Sequence, residues 1–281
     1  MRVLVTGSNG QLGNEIKKIS KDSNHSFIFT DLGQLDVCCE EKVREFFAEN
    51  NIDAVINCAA YTAVDRAEDD RQKAFEVNSI APKNLAVVAN RYGVRLIHVS
   101  TDYVFDGKKN IPYEEEDSVN PLCVYGETKL RGEENVINNC ENSVVVRTAW
   151  LFSSFGNNFV KKMVELSDKQ EVIKVVSCQQ GTPTYAADLA HVLVKLVERK
   201  DVRGIFHFSN EGVCSWYDLA CEVMECIGVP KTKVVSVANN EYPQKAQRPV
   251  YSALDKTKIK NTLGIEVRKW QDALRDCIDL L

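Results

Sequence analysis

Two side chains in the run Tyr125-Gly126-Glu127-Thr128-Lys129 could do chemistry together. On a helix the i, i+4 spacing puts the phenol and the ammonium on one face. A cation beside a phenol favours the phenolate and draws a pKa of about 10 toward neutrality. Such a tyrosine can serve as general acid to a carbonyl oxygen. Taken alone, the pair also reads as an exposed helix with two incidental residues, so its neighbours in the fold must decide. The apolar run ending in Val99-Ser100-Thr101-Asp102 supplies hydroxyls that would either hydrogen-bond a substrate oxygen or cap a strand.

A third feature stands at the N-terminus. Residues Arg2 to Thr6 run straight into Gly7-Ser8-Asn9-Gly10-Gln11-Leu12-Gly13, followed by a helical period. At this spacing glycine permits the tight turn, lets the backbone approach a pyrophosphate and packs helix against strand. The helix start adds N–H donors and a positive dipole, so Gly7, Gly10, Gln11, Leu12 and Gly13 are read as a dinucleotide-binding loop. Asp31 follows Gly13 by 18 residues. An acid there can accept from adenosine ribose hydroxyls and would repel a 2′-phosphate, which favours NADH over NADPH. Asp36-Val37 and Ala60-Tyr61-Thr62 close the next strand ends and are read as further cofactor contacts.

These residues need a parallel sheet to bring them together. Apolar runs at 2–6, 26–30, 54–59, 96–100 and 143–147 are nearly continuous rather than alternating, as expected of strands covered on both faces. Segments of helical period separate them, including Leu12/Ile16/Ile19, Val43/Phe46/Phe47 and a long stretch from Gln72 to Tyr92 that Pro82 should kink or split. The expected fold is α/β: a Rossmann-type doubly wound parallel sheet with a smaller C-terminal substrate-binding lobe. Residues 1–150 would form the dinucleotide-binding domain and about 151–210 would add to it. In that middle stretch a helix at 158–167, a strand at 171–176, a helix at 186–199 and a strand at 204–209 are expected. Residues 211–281 would mainly build the lobe, with helices at 216–227 and from Lys269 onward.

The 281 residues carry 35 basic and 40 acidic side chains, a formal net charge of −5, which offers no field for nucleic acid or an anionic membrane. The ten cysteines include no Cys-x-x-Cys and no Cys/His cluster, so neither a disulfide framework nor zinc is expected. Apolar settings such as that of Cys58 suit a reduced core thiol. No run of about 18 apolar residues and no leader pattern is present, so the expected location is the cytoplasm.

With these motifs in order, the chain resembles the dTDP-4-dehydrorhamnose reductase family of the extended short-chain dehydrogenase/reductase superfamily. The resemblance covers essentially the whole length. It rests on Val5 to Gly13, Asn57-Cys58-Ala59-Ala60-Tyr61-Thr62-Ala63-Val64-Asp65, Ser100-Thr101-Asp102-Tyr103-Val104-Phe105-Asp106-Gly107, the Tyr125/Lys129 pair, Arg147-Thr148-Ala149-Trp150-Leu151-Phe152, Asn157-Asn158-Phe159, Gly181-Thr182-Pro183-Thr184 and Arg248-Pro249. The Ser-Thr-Asp-Tyr-Val-Phe-Asp-Gly run is the most family-specific.

The resemblance implies a reductase that converts dTDP-4-dehydro-L-rhamnose to dTDP-L-rhamnose with NADH or NADPH. Tyr125 would protonate the C4 oxygen as hydride arrives. Lys129 would hold the nicotinamide ribose and lower the tyrosine pKa, and Thr101 would complete the triad. Asp102 and Trp150 would contact the sugar. Arg248, helped by Gln244-Lys245, is the candidate for the diphosphate, because a guanidinium is a fork of donors suited to phosphate oxygens. Some relatives dimerise through a metal bridged by glutamates. Glu15 matches one of these, but Ala187 stands where the other would be, so no metal is expected and a homodimer stays open. Tyr61 replaces a frequent histidine. Three other readings remain: another 4-keto-deoxysugar nucleotide reductase, a 4-epimerase, or a non-catalytic relative like the regulatory subunit of methionine adenosyltransferase.

Overall fold

The computed structural model describes residues 1–238, 241 and 244–281. Its centre is a six-stranded, wholly parallel sheet. The strands β1 (Arg2–Thr6), β2 (Ser26–Phe29), β3 (Ala54–Asn57), β4 (Arg95–Thr101) and β5 (Ser143–Thr148) lie in the order β5-β4-β3-β1-β2, and Gly204–His207 pairs outside β5. These are the expected strands, shifted by one or two residues at their ends. The chain order reverses between β1 and β3, and the crevice outside the carboxyl ends at such a point is where doubly wound sheets bind ligands.

Both faces of the sheet are buried. On one side α1 (Gln11–Ile19) and the helix Ala186–Glu198 pack through Leu12, Ile16, Leu189, Leu193 and Leu196 onto Val3, Val5, Ile56 and Val146. On the other, α2 (Glu40–Asn50) and the helix Ala81–Arg91 place Val43, Phe47, Leu85 and Ala89 against Leu4, Val55, Leu96 and Val145. A separate core gathers Phe152, Met163, Ile173, Tyr185, Leu219, Val223 and Trp270. Within it the expected strand at 171–176 shortens to Ile173–Val176 and pairs with Val234–Val237, away from the main sheet.

The long helix around Pro82 is neither broken nor regular. It runs as α-helix over Arg71–Phe75, as a π-turn over Glu76–Ile80 and as α-helix again over Ala81–Arg91. Proline 82 has no N–H to offer the carbonyl of residue 78, so that bond of the helix ladder cannot form and a widened turn takes up the mismatch.

Candidate active site

A cavity of about 660 Å³ follows the carboxyl edge of the sheet. Asp31, Leu32, Asp36, Val37 and Cys38 line one end, Gly7 and Gly10 to Gly13 the middle, and Thr101, Asp102, Tyr125 and Lys129 the inner wall. Trp150, Trp216 and Arg248 line the far end. Of the residues expected at the site from sequence, all line this cavity except Gln244, Lys245 and Tyr61, whose hydroxyl turns to Asp70 at 3.3 Å while Ala60 and Thr62 on either side face the cavity.

The glycine loop has the build of an anion cradle. Gly7 sits at φ 62°, and a β-carbon on Gly13 would lie 2.5 Å from the Ser8 backbone, so neither position tolerates a side chain. Gly10 caps α1 without a side-chain hydrogen bond, leaving first-turn N–H groups to a ligand. This chain therefore fits a dinucleotide pyrophosphate on the loop. Beside it, the Asp31 carboxylate accepts the N–H of Asn9 at 3.1 Å and that of Leu32 at 2.8 Å, which fixes a negative charge at the cavity edge. Asp36 accepts the Cys38 N–H at 3.0 Å.

The helix Val124–Asn139 carries Tyr125 and Lys129 to the inner wall. Its position is set from the π-turn, where Asn78 donates to Thr128 Oγ1 at 3.2 Å and bonds both the N–H and the carbonyl of Tyr61, at 2.8 and 3.1 Å. Gly132 lets the two helices meet: a β-carbon there would stand 2.2 Å from the Asn78 carbonyl. That carbonyl is the one Pro82 cannot serve. One widened turn thus aligns the cofactor-facing strand end and the Tyr/Lys helix.

Thr101 ends β4 and joins the acid group. Its Oγ1 accepts from Tyr103 N–H at 3.2 Å, donates to Asp102 Oδ1 at 3.1 Å and shares a hydrogen bond with Tyr125. Asp102 is 2% exposed, and burial raises its pKa to about 6. One expectation needs correction. The phenol of Tyr125 lies well above its ordinary range, because burial outweighs the bond to Thr101. Lys129 does not offset this, since its Nζ is drawn to the Val99 carbonyl at 2.6 Å and is itself lowered to about 8 by burial. The tyrosine is held protonated, which is the form a general acid needs.

At the far end Trp150 adopts φ 47°, uncommon for a bulky residue. Its ring stacks on Trp216 at 3.6 Å and 9°. Nothing in the local sequence marks Trp216 as a site residue; it belongs to a helix from the other core and meets Trp150 only through the fold. Arg248 reaches the cavity but is tethered, its Nη2 bound to Asp65 Oδ2 at 2.9 Å, while its buried Nε has no partner among the described residues. Lys245 pairs with Asp69, and Gln244 meets Gln179 at 3.2 Å. Glu15 is fully buried under Ser153, whose hydroxyl donates to it at 2.6 Å.

Comparison with known proteins decides the family. The family model described as RmlD substrate binding domain matches residues 1–281. The chain belongs to this family. It is similar to a dTDP-4-dehydrorhamnose reductase from Aggregatibacter actinomycetemcomitans, 38% identical over 98% of this chain and 97% of that protein. Among solved structures, one of a dTDP-4-dehydrorhamnose reductase from Clostridium acetobutylicum matches with TM-score 0.96 and 44% identity over 100% of this chain and 99% of the other. Another, from Bacillus anthracis and in complex with NADP, matches with TM-score 0.95 and 34% identity over 100% and 99%. Membership in the RmlD family agrees with the resemblance drawn from the motifs.

Proposed function

We propose that the protein reduces the C4 ketone of dTDP-4-dehydro-L-rhamnose to dTDP-L-rhamnose. The observation that carries this is the single cavity linking an anion-binding helix start to a protonated tyrosine and onward to an aromatic and cationic end. A reduced nicotinamide supplies hydride to C4 when bound. Tyr125 gives its phenolic proton to the C4 oxygen, so the ketone becomes a secondary alcohol. Thr101 holds the phenol and the ketone oxygen in line, and the Lys129 ammonium holds the hydroxyls of the nicotinamide ribose. The N-terminus of α1 binds the cofactor pyrophosphate.

Asp102 and Trp150 bind the sugar, and Arg248 turns its free guanidinium edge to the diphosphate. The segment around 211–281 closes over the nucleotide end of the substrate. Asp31 makes NADH the preferred donor, because a 2′-phosphate would face a carboxylate fixed by two backbone N–H groups.

The test is a panel of 4-keto-deoxysugar nucleotides offered with NADH and with NADPH, following loss of reduced nicotinamide and the configuration of the alcohol. Stoichiometric consumption with the 4-keto-rhamnose nucleotide, faster with NADH, is expected. Cofactor binding without consumption would overturn the reading in favour of a regulatory role. Isomerisation on tightly held NAD would overturn it in favour of an epimerase.

A further inference from the structure

Behind Lys129 a chain of buried polar groups runs from β1 through β3 to β4. Thr6 Oγ1 donates to Asn57 Oδ1 at 2.7 Å, Asn57 Nδ2 meets His98 Nδ1 at 3.0 Å, and His98 Nε2 lies 3.5 Å from Lys129 Nζ. Asn57 is 1% exposed, His98 0% and Lys129 2%, so water does not arbitrate among them. The proton positions follow from one unambiguous donor. The backbone N–H of Ala59 also points at Asn57 Oδ1, at 3.2 Å, and a backbone N–H can only donate. The Asn57 amide is thereby oriented, with its NH₂ toward His98. His98 Nδ1 must accept, and the proton of the neutral ring lies on Nε2, facing the amine.

An ammonium has three donors and no acceptor. With a donor in front of it, Lys129 finds one inward partner among the described residues, the Val99 carbonyl at 2.6 Å. We propose that His98 is a positioning residue for Lys129: fixed by Asn57 as the Nε2–H tautomer, it denies the amine a second inward bond and turns its remaining N–H bonds to the cavity. An acceptor at the same place would tether the ammonium inside the protein and leave fewer donors for the ribose hydroxyls. This rests on the reading of Lys129 as the residue that holds the nicotinamide ribose.

The surrounding groups agree with this division. Burial and the lysine cation hold His98 well below its ordinary pKa, so the ring stays neutral. Lys129 faces Glu133 on its own helix and Cys58 after β3, both of which favour the cation, but burial prevails. Glu133 is already claimed by Arg147 through three hydrogen bonds of 2.7–3.2 Å.

Two measurements test the assignment. Nitrogen NMR of the histidine side chains, with His98 assigned by its loss in the His98→Gln variant, should show Nε2 protonated and Nδ1 bare from acid to alkaline pH. In His98→Gln the amide oxygen can turn to Lys129 and accept from it. The alkaline limb of NADH binding, read by nucleotide fluorescence without sugar substrate, should then move up by about one pH unit, and NADH should bind several-fold more weakly at neutral pH. A proton on Nδ1 in the wild-type protein overturns the proposal, as does an unchanged alkaline limb in a folded variant. Should the wild-type protein reduce none of the keto sugars, the function reading falls while both of these readouts still decide the role of His98.

Discussion

At the residue scale the proposed reduction turns on Tyr125 as its acid. Burial keeps Tyr125 protonated beside Thr101, whereas Lys129 is drawn to the Val99 carbonyl. Removing the phenolic oxygen should take away proton transfer and little else. Tyr125→Phe is expected to lower kcat by about 10²–10⁴-fold while the Kd for NADH changes less than about twofold, as measured by stopped-flow turnover and fluorescence titration. Near-normal turnover would remove Tyr125 from the mechanism. The i, i+4 pair was legible from sequence, but its electrostatics were not. Spacing says that two groups share a helix face; it does not say that a carbonyl of the preceding strand, 30 residues earlier, will claim the lysine.

At the scale of elements the site depends on how one helix is held. Val124–Asn139 is fixed on one side by the π-turn through Asn78 and on the other by β5, where Arg147 grips Glu133 in a bidentate pair with both side chains at most 2% exposed. Truncating one member of a buried pair leaves an unpaired charge. Glu133→Ala should destabilise the fold by about 3–5 kcal/mol in urea titration, far more than removal of an exposed pair such as Lys162–Glu165. The rhythm of strands and helices was readable because apolar runs with both faces covered look alike wherever they occur. The π-turn was not. Proline 82 announces a missing N–H, but whether the helix kinks, splits or widens depends on what packs on the freed carbonyl, and that partner is Gly132, 50 residues later.

Across the whole molecule, the sixth strand ties the C-terminal half to the sheet through a buried histidine. The His207 N–H donates to Glu115 at 2.8 Å, its Nδ1 faces the Tyr113 carbonyl at 3.1 Å, and its Nε2 faces Arg147 Nη1 at 3.4 Å. A guanidinium can only donate, so Nε2 accepts and the ring is neutral with its proton on Nδ1. Burial and Arg147 together hold its pKa down to about 3, against 6.5 for a free histidine. Between those two values the unfolded chain binds a proton that the folded one does not. Stability is therefore complete above about pH 6.5 and falls as pH drops toward 3, at up to about 1.4 kcal/mol per pH unit from this one group. His98, lowered by its own burial, acts in the same direction. His207→Gln should flatten the decline in Tm between about pH 6 and 4, measured by calorimetry, even if it lowers Tm at neutral pH. A variant with the wild-type slope would remove His207 as its source.

The sequence by itself determined the sheet, the glycine loop and the placing of Tyr125 and Lys129 on one helix. Periodicity, glycine spacing and a helical pair are local quantities, set by backbone sterics and by which residues share a face. The tertiary structure alone decided the protonation states and the far wall of the site. Lys129 meets Val99 and His98, Arg248 meets Asp65, and Trp150 meets Trp216 across 30 to 183 residues of chain. Desolvation and hydrogen-bond geometry follow from neighbours brought together in space, and no pattern along the chain specifies them.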